Sequence, residues 1–202
     1  MIETEIKGIK LRFETGEGIF SPERIDRGTL AMLSRVQFSN NDRVLDLGCG
    51  CGVVGILALK SSANAVMCDI SEEAVKFAEI NARLNGINNA DIRLSDGYEA
   101  VPENNFTLIV SNPPYHTDFS VAKRFIETGF KKLIPGGKMI MVTKRLDWYK
   151  NKLTSVFGGV RVSEIDGYFV FVSEKRGEKT VKKEKPPQKL SKKLQRKYKS
   201  KG

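Results

Sequence analysis

Five short apolar runs separated by amphipathic stretches constrain this chain more than any other feature. They are VLDL (44–47), AVMCDI (65–70), DIRL (91–94), FTLIV (106–110) and KMIMV (138–142). Each has the length of a strand and carries few charges, the pattern of a strand covered on both faces. Helices must then lie above and below the sheet, and the intervening segments supply them. Helices are predicted at about 53–60, at 72–85 between a Ser71 cap and a Gly86 stop, at 118–133 and at 147–157. In the third, Phe119, Ala122, Ile126, Phe130 and Leu133 recur at helical spacing and read as a core stripe. Two further strands, 160–165 and 168–172, flank Asp166-Gly167, a strong hairpin signal. Upstream, residues 1–20 read as short extended pieces around Gly16-Glu17-Gly18, and Ser21-Pro22-Glu23 as the start of a helix reaching about Val36. The expected fold is α/β: an open, doubly wound, mostly parallel seven-stranded sheet ending in an antiparallel hairpin. Ligands in such sheets bind beyond the carboxyl ends of the strands, near the switch point.

With 202 residues, 40% of them hydrophobic, the chain can bury one core, which excludes a second enzyme-sized domain. The longest apolar run, 53–59, falls far short of the roughly 20 residues that span a bilayer. The first residues show no signal-like apolar core, so a cytoplasmic protein without a membrane partner is expected, as a monomer or weak dimer. Three cysteines, Cys49, Cys51 and Cys68, make no disulfide framework, and with His116 as the sole histidine no metal site is expected. Small buried filler is the better reading of the thiols. Charge is unevenly distributed. Residues 174–202 hold 13 of the 34 Lys and Arg but only 3 of the 24 Asp and Glu, so this segment carries the whole net charge of +10. Its composition is that of a disordered segment, and its cations suit a polyanion such as RNA. Two parts are expected: a folded unit over 1–173, divided into N-terminal strands and helix (1–40) and a cofactor-binding sheet (41–173), and a basic RNA-binding tail over 174–202.

The chemistry is sought after the strands. Asp46 to Gly55, DLGCGCGVVG, follows the first strand and opens a helix, and Gly50, Gly52 and Gly55 satisfy the GxGxxG pattern of dinucleotide sites. An acid two residues before the first glycine disfavours a pyrophosphate there and suits a zwitterion carrying an ammonium. Two more acids follow the second and third strands, Asp69 in CDIS and Asp96 in LSDGY. Any one of the three could be a cap or a turn residue; three in register after successive strands point to a ligand site.

The fourth run ends in SNPPYH, 111–116. Consecutive prolines lock the backbone there. With VLDLGCG, this motif resembles the class I S-adenosylmethionine-dependent methyltransferases that modify an amine whose lone pair is delocalised. The resemblance implies S-adenosyl-L-methionine as cofactor, held by Asp46, Gly48, Cys49, Gly50, Gly52, Asp69, Ile70, Asp96, Gly97 and Asn112. Within that set Asp69 would accept from the ribose hydroxyls and Asp96 would meet the adenine amine. It also implies a catalytic set of Asn112, Pro113, Pro114 and Tyr115. There the Asn112 side-chain oxygen and the Pro113 carbonyl would grip the amine hydrogens while Tyr115 stacks on a flipped base. Phe20 and His116 are candidate substrate contacts. GIFS (18–21), Asp26-Arg27-Gly28-Thr29, the glycine loop and NPPYH together resemble the small-subunit ribosomal RNA guanine-N2 methyltransferases, over about residues 10–173. Structured RNA, ribosomal first, is thus the expected partner. Adenine-N6 methylation of RNA or DNA, glutamine-N5 methylation of a release factor, a nicotinamide dehydrogenase and a non-catalytic RNA-binding module stand as alternatives.

Overall fold

A computed structural model describes residues 1–16, 24–113 and 119–177. Its centre is a seven-stranded sheet formed by β3 (Arg43–Leu47), β4 (Asn64–Asp69), β5 (Asp91–Leu94), β6 (Phe106–Ser111), β7 (Leu133–Thr143), β8 (Arg161–Ile165) and β9 (Tyr168–Glu174). The order across the sheet is β5-β4-β3-β6-β7-β9-β8, parallel from β5 to β7 and antiparallel at β9 and β8. This is the expected doubly wound topology with its antiparallel edge. The chain winds outward from β3 to β5 and then crosses back to β6 on the other side of β3. The carboxyl ends of β3 and β6 therefore form the switch point.

Alternate residues of β3 serve opposite faces. Val44, with Val110 and Val142, belongs to a core under α1 (Arg27–Leu33), α2 (Val53–Lys60) and α3 (Glu72–Leu84). Leu45 and Leu47, with Ile109 and Met141, belong to a second core under α4 (Phe119–Lys132) and α5 (Asp147–Phe157). Burying each such aliphatic side chain stabilises the fold by roughly 1.5–3 kcal/mol. Helix α2 is apolar almost all round because it is pressed onto β4: a Cβ at Gly55 would stand 2.2 Å from Met67 Cγ.

Three expectations need correction. The amino terminus is a paired hairpin, β1 (Ile2–Ile6) and β2 (Ile9–Phe13), turning at Lys7 (φ +53°) and Gly8 (φ +78°). It is sewn to α3 by two asparagines one turn apart. Asn85 exchanges two hydrogen bonds with the Arg12 backbone, at 3.0 and 2.7 Å. The fully buried Asn81 accepts from Glu14 N–H (2.6 Å) and donates to the carbonyls of Glu14 and Cys51 (both 3.0 Å). Helix α1 begins at Arg27, because Asp26 caps it through Thr29 N–H at 2.7 Å, and stops at Leu33; the anticipated Ser21-Pro22-Glu23 start lies outside the described residues. Strand β7 is longer than its apolar run. Leu133 pairs with Phe106 before a register shift restores pairing at Lys138 with Leu108. The C-terminal hairpin turns where expected, with Asp166 at φ +51° and Gly167 at +76°.

Candidate active site

Strand β3 delivers its chain into a loop whose three glycines have different reasons to be glycine. Gly48, Gly50 and Gly52 all adopt positive φ (+74°, +54°, +87°). A Cβ on Gly48 or Gly50 would meet nothing, so these two are required by backbone conformation. A Cβ on Gly52 would crowd Ile56 Cδ1 (3.1 Å) and Ala78 Cβ (3.2 Å), which places it behind the loop as the N-cap of α2. The loop is tied to β4 by N–H donation from both Gly48 and Cys49 to the Cys68 carbonyl, at 2.9 and 3.0 Å.

Asp46 is buried beneath this loop, 3% exposed, with Oδ2 accepting the Gly55 N–H at 2.8 Å. Desolvation pushes its carboxyl up to about 7; the Gly55 bond opposes the rise and the nearby Asp69 charge adds to it. In the unfolded chain the group ionises near 3.8, so between these values the folded state holds a proton that the unfolded state has lost. This group's contribution to stability therefore falls as pH rises from about 4 to about 7, by about 4 kcal/mol in all. Asp46→Asn, which keeps an acceptor for Gly55, should accordingly gain in melting temperature over wild type at pH 8 and lose that gain near pH 4. An equal difference at both pH values would refute it. Burial also raises the thiols, Cys51 to about 11, Cys68 to about 12 and Cys49 well above its usual value, so none is a reactive thiolate. Among the described residues no group of three His, Cys, Asp or Glu is placed to hold a metal ion.

Asp69 ends β4 opposite the loop. Its Oδ2 accepts from Gly50 N–H (2.9 Å) and its Oδ1 from Ser71 N–H (3.0 Å), which fixes the carboxylate plane. Ile70 follows as an apolar side chain 69% exposed at the cavity lip. Asp96, after β5, is gripped through both oxygens by Arg124 of α4, one contact being Nη1 to Oδ2 at 3.2 Å. Gly97 turns at φ +60° against Phe125, and its carbonyl accepts from Ser95 Oγ at 3.0 Å.

On the other side of β3, Ser111 Oγ donates to the Leu47 carbonyl at 2.8 Å and sets the exit of β6 beside the glycine loop. Asn112 then reaches across to α1. Its Nδ2 donates to Asp26 Oδ2 (2.7 Å) and Thr29 Oγ1 (3.1 Å). Asp26 Oδ2 also takes the Thr29 N–H and hydroxyl, so one carboxylate oxygen caps the helix and orients the amide. The nitrogen is thus the end of the amide that faces α1.

Asp46, Gly48, Cys49, Gly50, Asp69, Ile70, Asp96, Gly97, Asn112 and Pro113 all line one cavity of about 390 Å³, and Gly52 does not. The volume lies in the range of small-ligand sites, about 300–1,000 Å³. Pro114, Tyr115, His116 and Phe20 lie outside the described residues. Sequence reasoning noted Asp26 and Thr29 without a role for them, and missed Arg124 and Asn81. Asn81 had a legible signal, being an amide on the buried stripe between Ala78 and Ala82.

A sheet of this order, with a glycine loop, acids at successive strand ends and an asparagine across the switch point, defines the Rossmann-like methyltransferase fold. The chain belongs to the methyltransferase small domain family, whose model matches residues 10–173. It is 34% identical over 166 residues to ribosomal RNA small subunit methyltransferase C of Shewanella amazonensis, covering 79% of this chain and 48% of that protein. To ribosomal RNA large subunit methyltransferase G of Streptomyces avermitilis it is 33% identical over 162 residues, covering 76% and 42%. Among solved structures, the T. thermophilus 16S rRNA N2 G1207 methyltransferase, in complex with AdoMet and guanosine, superposes with a TM-score of 0.81 at 27% identity, covering 87% of this chain and 50% of that one. The chain spans about half the length of these relatives. Among the described residues no helix is long and apolar enough to cross a membrane.

Proposed function

We propose that this chain is an S-adenosylmethionine-dependent N-methyltransferase acting on an exocyclic base amine of RNA, guanine N2 of ribosomal RNA in the first place. The observation that carries the proposal is the orientation of Asn112. Its amide nitrogen donates to Asp26 and Thr29, which sets the side chain on the cavity wall with its nitrogen facing α1; the oxygen is the end assigned to receive an N–H from a substrate amine. The likeness to guanine-modifying ribosomal RNA enzymes supports the choice of base.

The cavity fits the cofactor by its chemistry. Gly48 and Gly50 bring bare backbone to its wall, where a methionine moiety can lie against the amides; Asp69, held by two N–H donors, retains one lone pair on each oxygen for a pair of vicinal hydroxyls; Ile70 offers an apolar face and Asp96 an acceptor at the far end. The cofactor supplies a methyl group activated by a sulfonium. The residues of the chain supply geometry. A base amine is a weak nucleophile because its lone pair is shared with the ring. Asn112 Oδ1 and the Pro113 carbonyl, accepting its two hydrogens, favour the pyramidal form and turn the lone pair toward the methyl donor. The methylated nitrogen passes its extra proton to water after transfer, so no side chain of shifted pKa is required. We assign residues 1–173 to the methyltransferase domain and the basic residues 174–202 to an RNA-anchoring arm, the family match ending where the charge run begins.

The test is transfer of a labelled methyl group from S-adenosylmethionine to separated RNA, DNA and protein fractions, followed by mass spectrometry of the nucleosides. Label in N2-methylguanosine from ribosomal RNA is expected. Label in N6-methyladenosine, in DNA or in glutamine would move the assignment to that substrate.

A further inference from the structure

The two sides of the cavity differ in charge and in surface chemistry. The cofactor side carries three carboxyl groups, Asp46, raised toward neutrality, Asp69, and Asp96, which is paired with Arg124. The Asn112 side carries cations from two unrelated segments. Arg24, exposed on the cavity wall, and Arg27, the first residue of α1, flank the capping Asp26 that holds Asn112. Lys144 and Arg145 leave the carboxyl end of β7. Because Ser111 pairs with Met141, the exits of β6 and β7 run side by side, about 5 Å apart. Lys144 and Arg145 thus stand close to the strand end that carries Asn112. None of these four cations is ion-paired among the described residues. Arg145 lies over the Phe119 ring at 4.9 Å from its centroid, and that ring stacks on Trp148 at 4.4 Å with 16° between the planes. Both rings are partly buried against the second core. The acidic Asp147 beside them occupies the first turn of α5, where it complements the helix dipole.

Cations without an ion pair from two segments near Asn112, with a stacked pair of aromatic rings, suit a strand of phosphates and unstacked bases. We propose that this rim is a second RNA-docking surface, on the folded domain itself: Arg27, Lys144 and Arg145 take phosphates next to the target nucleotide, and the Phe119–Trp148 stack supports a flanking base. The inference rests on the RNA reading above. It assigns register on the RNA to the rim and leaves to the basic tail an affinity without register.

The experiment uses the full chain and an unmodified small-subunit ribosomal RNA transcript. The triple variant Arg27→Gln, Lys144→Gln, Arg145→Gln is compared with Lys60→Gln, Lys131→Gln, Lys138→Gln, which removes the same charge toward the amino ends of the strands, away from the cavity. The rim variant should weaken RNA binding about tenfold or more and lower the slope of log affinity against log salt by about 2. The control should change neither by as much, and both should bind S-adenosylhomocysteine as wild type does. A rim variant with unaltered RNA affinity and salt slope, while wild type still methylates the transcript, overturns the rim alone. Equal losses in rim and control variants overturn it too, by reducing the effect to net charge. A wild-type chain that methylates no RNA overturns the underlying reading and the rim with it.

Discussion

Asn112→Ala is expected to lower turnover by about 100- to 1,000-fold or more, the scale on which enzymes lose rate when one preorganised hydrogen-bonding group of the reacting centre is removed. Its S-adenosylhomocysteine affinity should stay within a few fold of wild type, because the hydrogen bonds that shape the loop and the Asp69 carboxylate do not pass through Asn112. The arrangement around α1 adds a second arm to the test. Asp26→Ala leaves Asn112 in place and deprives its Nδ2 of the carboxylate, so the amide can turn over and present N–H where the substrate amine needs an acceptor. Turnover should fall here as well, by less than in Asn112→Ala. Calorimetry with S-adenosylhomocysteine and single-turnover methylation separate the two effects. If Asn112→Ala lost cofactor binding instead of turnover, the asparagine would belong to the cofactor site and the proposed chemistry would lose its acceptor.

That orientation was beyond the reach of sequence reasoning. Asn112 and Asp26 are 86 residues apart, and the motif around each is complete without the other. What local pattern encodes is legible. Strands β3, β4, β6 and β7, covered on both faces, announce themselves as apolar runs, whereas β5, expected to be covered likewise, is an edge strand with no buried residue; helix α3 is bounded by Ser71 and Gly86, and Asp166-Gly167 turns as a tight hairpin. The failures have equally physical causes. Lys7-Gly8 makes the same kind of turn, but a lysine at φ +53° is held there by the pairing of Ile6 with Ile9 rather than by its own preference. Helix α1 does not begin at the first attractive cap, because the one that Asn112 engages is Asp26. The acid positions after β3, β4 and β5 were legible as a register, yet their states were not. Asp46 is buried and raised toward neutrality by its surroundings, Asp69 is pinned by two backbone donors, and Asp96 is held by an arginine from a helix on the far side of the substrate motif.

The pinning of Asp69 makes its removal the larger of the expected effects on cofactor binding. Gly50 N–H and Ser71 N–H each take one lone pair, one per oxygen, so the carboxylate presents its remaining pair of acceptors in a fixed plane. Two hydroxyls bound there would make charge-assisted bonds worth about 1.5–3 kcal/mol each. Asp69→Ala should therefore raise the cofactor dissociation constant by at least about 100-fold, a factor that corresponds to roughly 2.8 kcal/mol. Part of that loss would come from the loop, since Gly50 N–H loses its acceptor and its positive φ is no longer restrained from that side. Asp69→Asn distinguishes the two contributions. It keeps an oxygen for the Gly50 N–H but offers the hydroxyls only one further acceptor, uncharged, so its affinity should lie between wild type and Asp69→Ala. An Asp69→Asn variant as weak as Asp69→Ala would mean that the charge, and not the count of acceptors, holds the ribose. An unaltered dissociation constant in Asp69→Ala would remove Asp69 from the cofactor site and leave it the role of a brace between β4 and the glycine loop.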